Sequence, residues 1–181
     1  LVRHGENDFV RKGKLAGRLP DIHLNKKGRE QVKATAAALV KQFNPTKENP
    51  NPIKVIYSSP LERARETAEP IAQALGAEIA LRPGLMEIDI GEWTGESLKR
   101  LHRKKEWRVV QQASSLHRFP GGESFCETQY RMVHELLDLR DLHDPKEIIL
   151  CVSHADPIKL AVAYFIGLPI DQFQRLGISP A

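Results

Sequence analysis

The sequence predicts an α/β protein of three layers, with helices flanking both faces of a mostly parallel sheet. Three observations predict it. Short apolar runs alternate with amphipathic helical stretches along the whole chain. The run KEIILCVSH is apolar without alternation, as a strand buried on both faces must be. Three of the runs end directly in charged or hydroxyl-bearing residues, at Arg3 and His4, at Ser58 to Arg63, and at Ser153 and His154.

Taken in order, LVRHGEND places two apolar residues ahead of Arg3, so a first strand ends there in a turn. NKKGREQVKATAAALVKQF sets Val32, Ala36, Leu39, Val40 and Phe43 on one helical face, and NPTKENPNP breaks it into a surface loop. IKVIYSS is a β-branched strand. The helix SPLERARETAEPIAQALG follows, with Ser59 expected as its cap, Pro60 in its first turn and Gly76 at its end. AEIALR reads as a strand, GESFCETQYRMVHELLDLRD as an amphipathic helix, and DPIKLAVAYFIG as a helix after the strand KEIILCVSH. The segment from Gly91 to Gly122 mixes glycines, two tryptophans and many bases, and reads as a lid-like insertion within a single domain spanning 1–181.

With 181 residues, 41% of them hydrophobic and 28% charged, the chain can bury a core of its own. No apolar run approaches the roughly 20 residues of a membrane span, and nothing resembles a signal peptide. Two cysteines make no disulfide framework and fit a cytoplasmic location, with Cys151 in the core and Cys126 in a polar stretch. The net charge of +4 favours an anionic ligand. Much of the excess lies in LKRLHRKKEWR, Leu98 to Arg108, which reads as a solvated helix face rather than a specific nucleic-acid surface. The oligomeric state stays open, a homodimer included.

Ligands of open α/β sheets bind beyond the carboxyl ends of the strands, where the three polar clusters should meet. Singly, an arginine or histidine at a strand end is an ordinary surface group. Together, two arginines and two histidines attract a dianion, because guanidinium forks match phosphate oxygens and a helix N-terminus adds amides. A neutral imidazole is also a phosphoryl acceptor near pH 7. Transfer from an alcohol needs a proton donor, and LMEIDIGEWTGES offers Glu87, Asp89, Glu92 and Glu96; Glu87 follows a strand to the same rim.

Five ordered blocks, LVRHGE, SSPLERARETA, LMEIDIGEWTGES, PGGES and VSHADPIK, resemble the histidine phosphatase superfamily, also called phosphoglycerate mutase-like, over nearly the whole chain. The resemblance implies the three-layer fold and a phosphohistidine formed on His4. It implies a phosphoryl clamp of Arg3 and Arg63, with Arg63 chosen over Arg65 because RARETA fits the family pattern from Arg63. His154 would complete the pocket and Glu87 would be the proton donor. Substrate-binding residues would be Arg3, Asn7, Arg63, His154 and Ala155, with no metal and no cofactor, since the arginines supply the charge. The partner would be a small phosphorylated substrate, with no membrane and no specific nucleic acid.

Departures from the family pattern are Asn7 for a threonine or serine, Val10 for the mutases' asparagine, GRLPDIHLN in the entrance loop, and Ala155 and Asp156 for two glycines. Asp156 is expected to cap the following helix, or else to contact substrate. A compact segment between Glu87 and His154 and the loss of the asparagine favour a phosphatase over a phosphomutase. A phosphate-binding module without turnover is the reading from another class. Trp93, Trp107 and Phe119 are candidates for an apolar wall, with Trp107 the one most expected to serve packing instead. The chain opens inside the first strand and stops at ISPA, where relatives continue into a further strand, so an incomplete sheet edge is expected.

Overall fold

A computed structural model of the chain describes residues 1–43 and 52–181. Strands β1 (Val2–Arg3), β2 (Ile53–Ser58), β3 (Glu78–Leu81) and β4 (Ile148–Ser153) form one parallel sheet in the order β1-β4-β2-β3. The helices are α1 (Asp8–Arg11), α2 (Lys26–Phe43), α3 (Glu62–Leu75), α4 (Leu98–Leu101), α5 (Lys105–Gln112), α6 (Phe125–Asp141) and α7 (Ala155–Phe165). The surface loop expected over 44–52 lies, apart from Pro52, outside the described residues.

Period-2 geometry explains why KEIILCVSH reads as continuously apolar. Leu150 and Val152 of β4 enter one core, with Val32 and Ala36 of α2 and Ile71 and Leu75 of α3. Cys151 and Ile149 enter the opposite core, with Met132 and Val133 of α6 and Ile158 and Ala161 of α7. Both faces of the sheet are thus covered by helices, which gives the three layers. Burial pushes the Cys151 thiol up to about 11, while Cys126 is exposed.

The helix ends depart from the local rules in two places. Ser59 does not cap α3, and Pro60 lies ahead of its first turn: the helix starts at Glu62, behind Leu61, with no side-chain cap. The Ser59 hydroxyl is drawn instead to a histidine across the sheet, a tertiary bond that outweighs a local one. Gly76 ends the helix as expected. Asp156 does not cap α7 either. His154 occupies that position, and Asp156 pairs with Lys159 inside the first turn at 3.2 Å. In α6 the start is set by a reciprocal bond pair between Ser124 and Glu127.

The segment 91–122 is more regular than its composition suggests, containing α4, α5 and 3-10 turns. Its apolar residues Trp93, Leu101, Val110 and Phe119 build a third core with Phe125, Leu160 and Phe173. The bases Lys99, Arg100, Arg103, Lys104, Lys105 and Arg108 are all exposed. Among the described residues no helix is long and apolar enough to cross a membrane.

The first turn of α2 lies unusually close to the loop after β1. A Cβ on Gly28 would sit 2.0 Å from the Glu6 carbonyl oxygen, and one on Gly5 would sit 2.7 Å from the Gly28 oxygen. Both obstacles are backbone and cannot swing aside. Gly28→Ala is therefore expected to destabilise the protein by about 2–3 kcal/mol through overpacking. Thermal unfolding should show a fall of roughly 5–10 °C in Tm.

Candidate active site

The carboxyl ends of β1, β2 and β4 open into a cavity of about 360 Å³. Arg3, His4, Asn7, Arg63, Glu87 and Ala155 all line it, so residues far apart in sequence share one wall. Main-chain bonds set the strand ends: His4 N–H donates to Ser153 O at 3.0 Å and Ser59 N–H to Val152 O at 2.9 Å. The Ser153 hydroxyl donates to Leu85 O at 2.7 Å, tying the loop that carries Glu87 to the end of β4.

His4 is 3% exposed, and its Nδ1 lies 2.7 Å from its neighbour's carbonyl, Gly5 O. A carbonyl only accepts, so Nδ1 carries the proton and Nε2 keeps its lone pair. Burial, then the charges of Arg63 and Arg3, push the His4 pKa down to about 3, so the ring is neutral at physiological pH. The His154 ring stands 5.1 Å from it, fully buried. Its Nε2 lies 2.8 Å from Ser59 Oγ, which already accepts from Leu61 N–H at 3.4 Å. With the Ser59 hydroxyl donating to Nε2, Nδ1 is the N–H donor of the ring. His154 is likewise held neutral, by burial first and Arg63 second, well below the usual histidine value.

Arg63 is 1% exposed in α3, with Nη2 donating to Gly17 O at 2.7 Å, whereas Arg65 faces solvent. Arg3 donates from Nη1 to Ile178 O at 2.7 Å. Desolvation lowers both guanidinium pKa values, with Glu87 the largest opposing influence on each. At this site four buried nitrogen atoms then have no partner among the described residues: Arg3 Nε, Arg63 Nε, Arg63 Nη1 and His154 Nδ1. Leaving such groups unmet costs about 1–3 kcal/mol each, and guanidinium donors of this kind match the oxygens of a tetrahedral dianion. Phosphate or vanadate at a hundred times its Kd is accordingly expected to add about 2.7 kcal/mol of stability. That is roughly 5–10 °C in Tm, and Arg63→Ala should abolish the shift.

Glu87 follows the 3-10 turn Pro83–Leu85 and is 16% exposed. One carboxyl oxygen accepts from Ile88 N–H at 3.0 Å, and the other lies 3.9 Å from His154 Nδ1. Burial, reinforced by Asp156, raises its pKa to about 7. An acid of that strength both gives and takes a proton near neutrality. Asn7, also buried, spends its carboxamide oxygen on Val10 N–H at 2.9 Å, capping α1. Among the described residues no group of three His, Cys, Asp or Glu is placed to hold a metal ion.

The apolar wall differs from the expectation. Trp107 lines the cavity together with Phe119, while Trp93 is 2% exposed within the third core and stacks behind Trp107 at 6.2 Å. The packing residue is thus Trp93, because α5 turns Trp107 inward although its sequence neighbours are charged. Lys14, His102, Gln111, Lys159 and Gln174 form a polar outer wall that the sequence does not announce, together with Asp156, for which a substrate contact is the alternative to a helix cap. Ser59 and Gly17 were missed as supports of His154 and Arg63, although Ser59 stands inside a recognised block.

The fold and this arrangement define a class: a three-layer α/β protein in which two arginines, a carboxyl group and a neutral histidine line one cavity beyond the strand ends. The model of the histidine phosphatase superfamily (branch 1) matches residues 1–181, and the chain belongs to that family. It is 30% identical to phosphoserine phosphatase 1 of Hydrogenobacter thermophilus, covering 100% of this chain and 82% of that protein. It is 33% identical to the probable phosphoglycerate mutase GpmB of Escherichia fergusonii, covering 98% and 79% respectively. Among solved structures, a mutant phosphoserine phosphatase of Entamoeba histolytica in complex with phosphoserine superposes with a TM-score of 0.84. The two share 27% identity over 99% of this chain and 84% of that one.

Proposed function

We propose that the protein is a phosphomonoester hydrolase acting on small phosphorylated metabolites through a phosphohistidine on His4. The observation that carries this is the His4 tautomer, fixed by Gly5 O so that Nε2 keeps a lone pair among unpartnered donors of Arg3, Arg63 and His154. Nε2 attacks phosphorus, the P–O bond to the alcohol breaks, and the Glu87 carboxyl gives its proton to the departing oxygen. Arg3, Arg63 and His154 Nδ1–H hold the equatorial oxygens, where charge accumulates. Glu87, now a carboxylate, takes a proton from water as that water attacks the phosphohistidine. The P–N bond breaks, phosphate leaves and His4 is restored.

A cavity of about 360 Å³ suits a small metabolite. Lys14 and Lys159 on its outer wall suit a leaving group with a carboxylate, which the phosphoserine and phosphoglycerate enzymes among the relatives share as a substrate feature. The likeness to a probable phosphoglycerate mutase sustains a second reading, in which a phosphorylated acceptor replaces water. A rapid-quench trap with phosphoserine and 3-phosphoglycerate separates them. Hydrolysis predicts a phosphoryl mass on the His4 peptide with free phosphate accumulating. A label stable in water and discharged only by a second phosphorylated compound establishes the mutase. Absence of both label and phosphate, with phosphate still bound, would leave a binding module.

A further inference from the structure

Glu87 sits on a stretch, residues 84–89, that no helix or strand ladder holds beyond its opening 3-10 turn. Besides the Ser153 hydroxyl on Leu85 O, three side chains fasten its main chain at four further places. Arg131 Nη1 donates to Gly84 O at 2.7 Å and to Met86 O at 3.1 Å. Arg18 Nε donates to Glu87 O itself at 2.8 Å. Glu123 Oε2 accepts from Asp89 N–H at 3.1 Å.

The three side chains are also fastened to one another. Arg18 Nη2 reaches Glu123 Oε1 at 2.8 Å, and Arg131 meets both carboxylate oxygens, at 3.1 and 3.0 Å. The Thr128 hydroxyl donates to Glu123 at 3.1 Å. All three are mostly withdrawn from solvent, at 28%, 21% and 22% exposure for Arg18, Glu123 and Arg131. The PGGES block, which has no place in the chemistry above, explains how Glu123 arrives there. Glu123 N–H donates to Asp89 O at 2.8 Å, and a Cβ on Gly122 would stand 2.3 Å from that same oxygen. Only glycine lets the two segments lie so close. On the other side, Gly17 O holds Arg63 and the next residue, Arg18, holds Glu87. One loop thus touches the phosphate clamp and the proton donor.

We propose that Arg18, Glu123 and Arg131 are positioning residues that form a charged bracket around the backbone of Glu87 and set its carboxyl against the leaving oxygen. The inference rests on the hydrolase reading above. General-acid transfer is steep in geometry, and a displacement of about 1 Å can cost 10²-fold. Guanidinium donors spent on the carbonyls of Gly84, Met86 and Glu87 keep the peptides of this loop from turning, while Glu123 neutralises one of the two charges that do so. None of the three side chains lines the cavity.

The test compares kcat/KM for p-nitrophenyl phosphate, whose leaving group needs little protonation, with that for an alkyl ester such as phosphoserine or glycerol phosphate. Arg18→Met should lower the alkyl value by about 30- to 100-fold and the aryl value by less than about 3-fold. Arg18→Lys, which keeps the charge but cannot reach both Glu87 O and Glu123, should show the same skew at smaller size; it also serves if the methionine variant does not fold. In a Glu87→Gln background Arg18→Met should add almost nothing, because the two act as one unit. Equal losses toward both esters, no loss toward either, or additivity with Glu87→Gln would overturn the bracket. A wild-type protein inactive toward both esters would instead overturn the hydrolase reading, and the bracket with it.

Discussion

His4→Ala is expected to abolish turnover, by roughly four to six orders of magnitude, in a protein that still folds and still binds phosphate. The fold should survive because the side chain supports little beyond itself: its one hydrogen bond goes to the carbonyl of the next residue, and the strand-end bond to Ser153 O uses only backbone. Phosphate affinity should persist because the donors of Arg3, Arg63 and His154 remain in place. Stopped assays and mass spectrometry of the quenched enzyme check both halves. A variant within tenfold of wild type, or one that still carries a phosphoryl label elsewhere, would show that another group is the nucleophile.

Glu87→Gln should divide substrates by their leaving groups. Alkyl esters are expected to lose about 10²- to 10⁴-fold in kcat/KM, and p-nitrophenyl phosphate far less. The pH profile supplies a second check. With a pKa near 7, Glu87 holds its proton below that pH, and His4, near 3, is already neutral there. Alkyl turnover should therefore fall as pH rises through about 7, and the fall should disappear in the glutamine variant. Stability has its own sign. The folded pKa is raised from 4.5 to about 7, so the contribution of the protonated group is full below 4.5 and is lost as pH rises through 7. Glu87→Gln should thus gain stability relative to wild type on the alkaline side, measured by thermal unfolding from pH 5 to 8.

The sheet and the catalytic candidates were legible in sequence for the same reason. In a parallel sheet covered on both faces, strands are uninterrupted apolar runs, and polar residues at their carboxyl ends have one common destination. Arg3, His4, Arg63 and Glu87 line it, and His154 stands fully buried beside His4. What could not be read depends on contacts across the fold. Ser59 had the sequence of a helix cap, and its hydroxyl went to His154. Trp107 had charged neighbours along the chain but turned inward, because exposure follows the helix face rather than local composition. Arg18 and Glu123 are 105 positions apart, and nothing in either neighbourhood announces that they pair.

The two-residue strand β1 lies in register with β4 across almost the whole chain, Val2 beside Val152 and Arg3 beside Ser153. Contacts of such separation form late, since a long loop must close before they contribute any stability. On the proposed function, phosphoryl transfer is therefore expected to be among the last properties the folding chain acquires. Partly folded molecules holding only β2 with α2 and α3 would contain Arg63 without a histidine beside it. On that reading they would be unable to take a phosphoryl group until the sheet is complete.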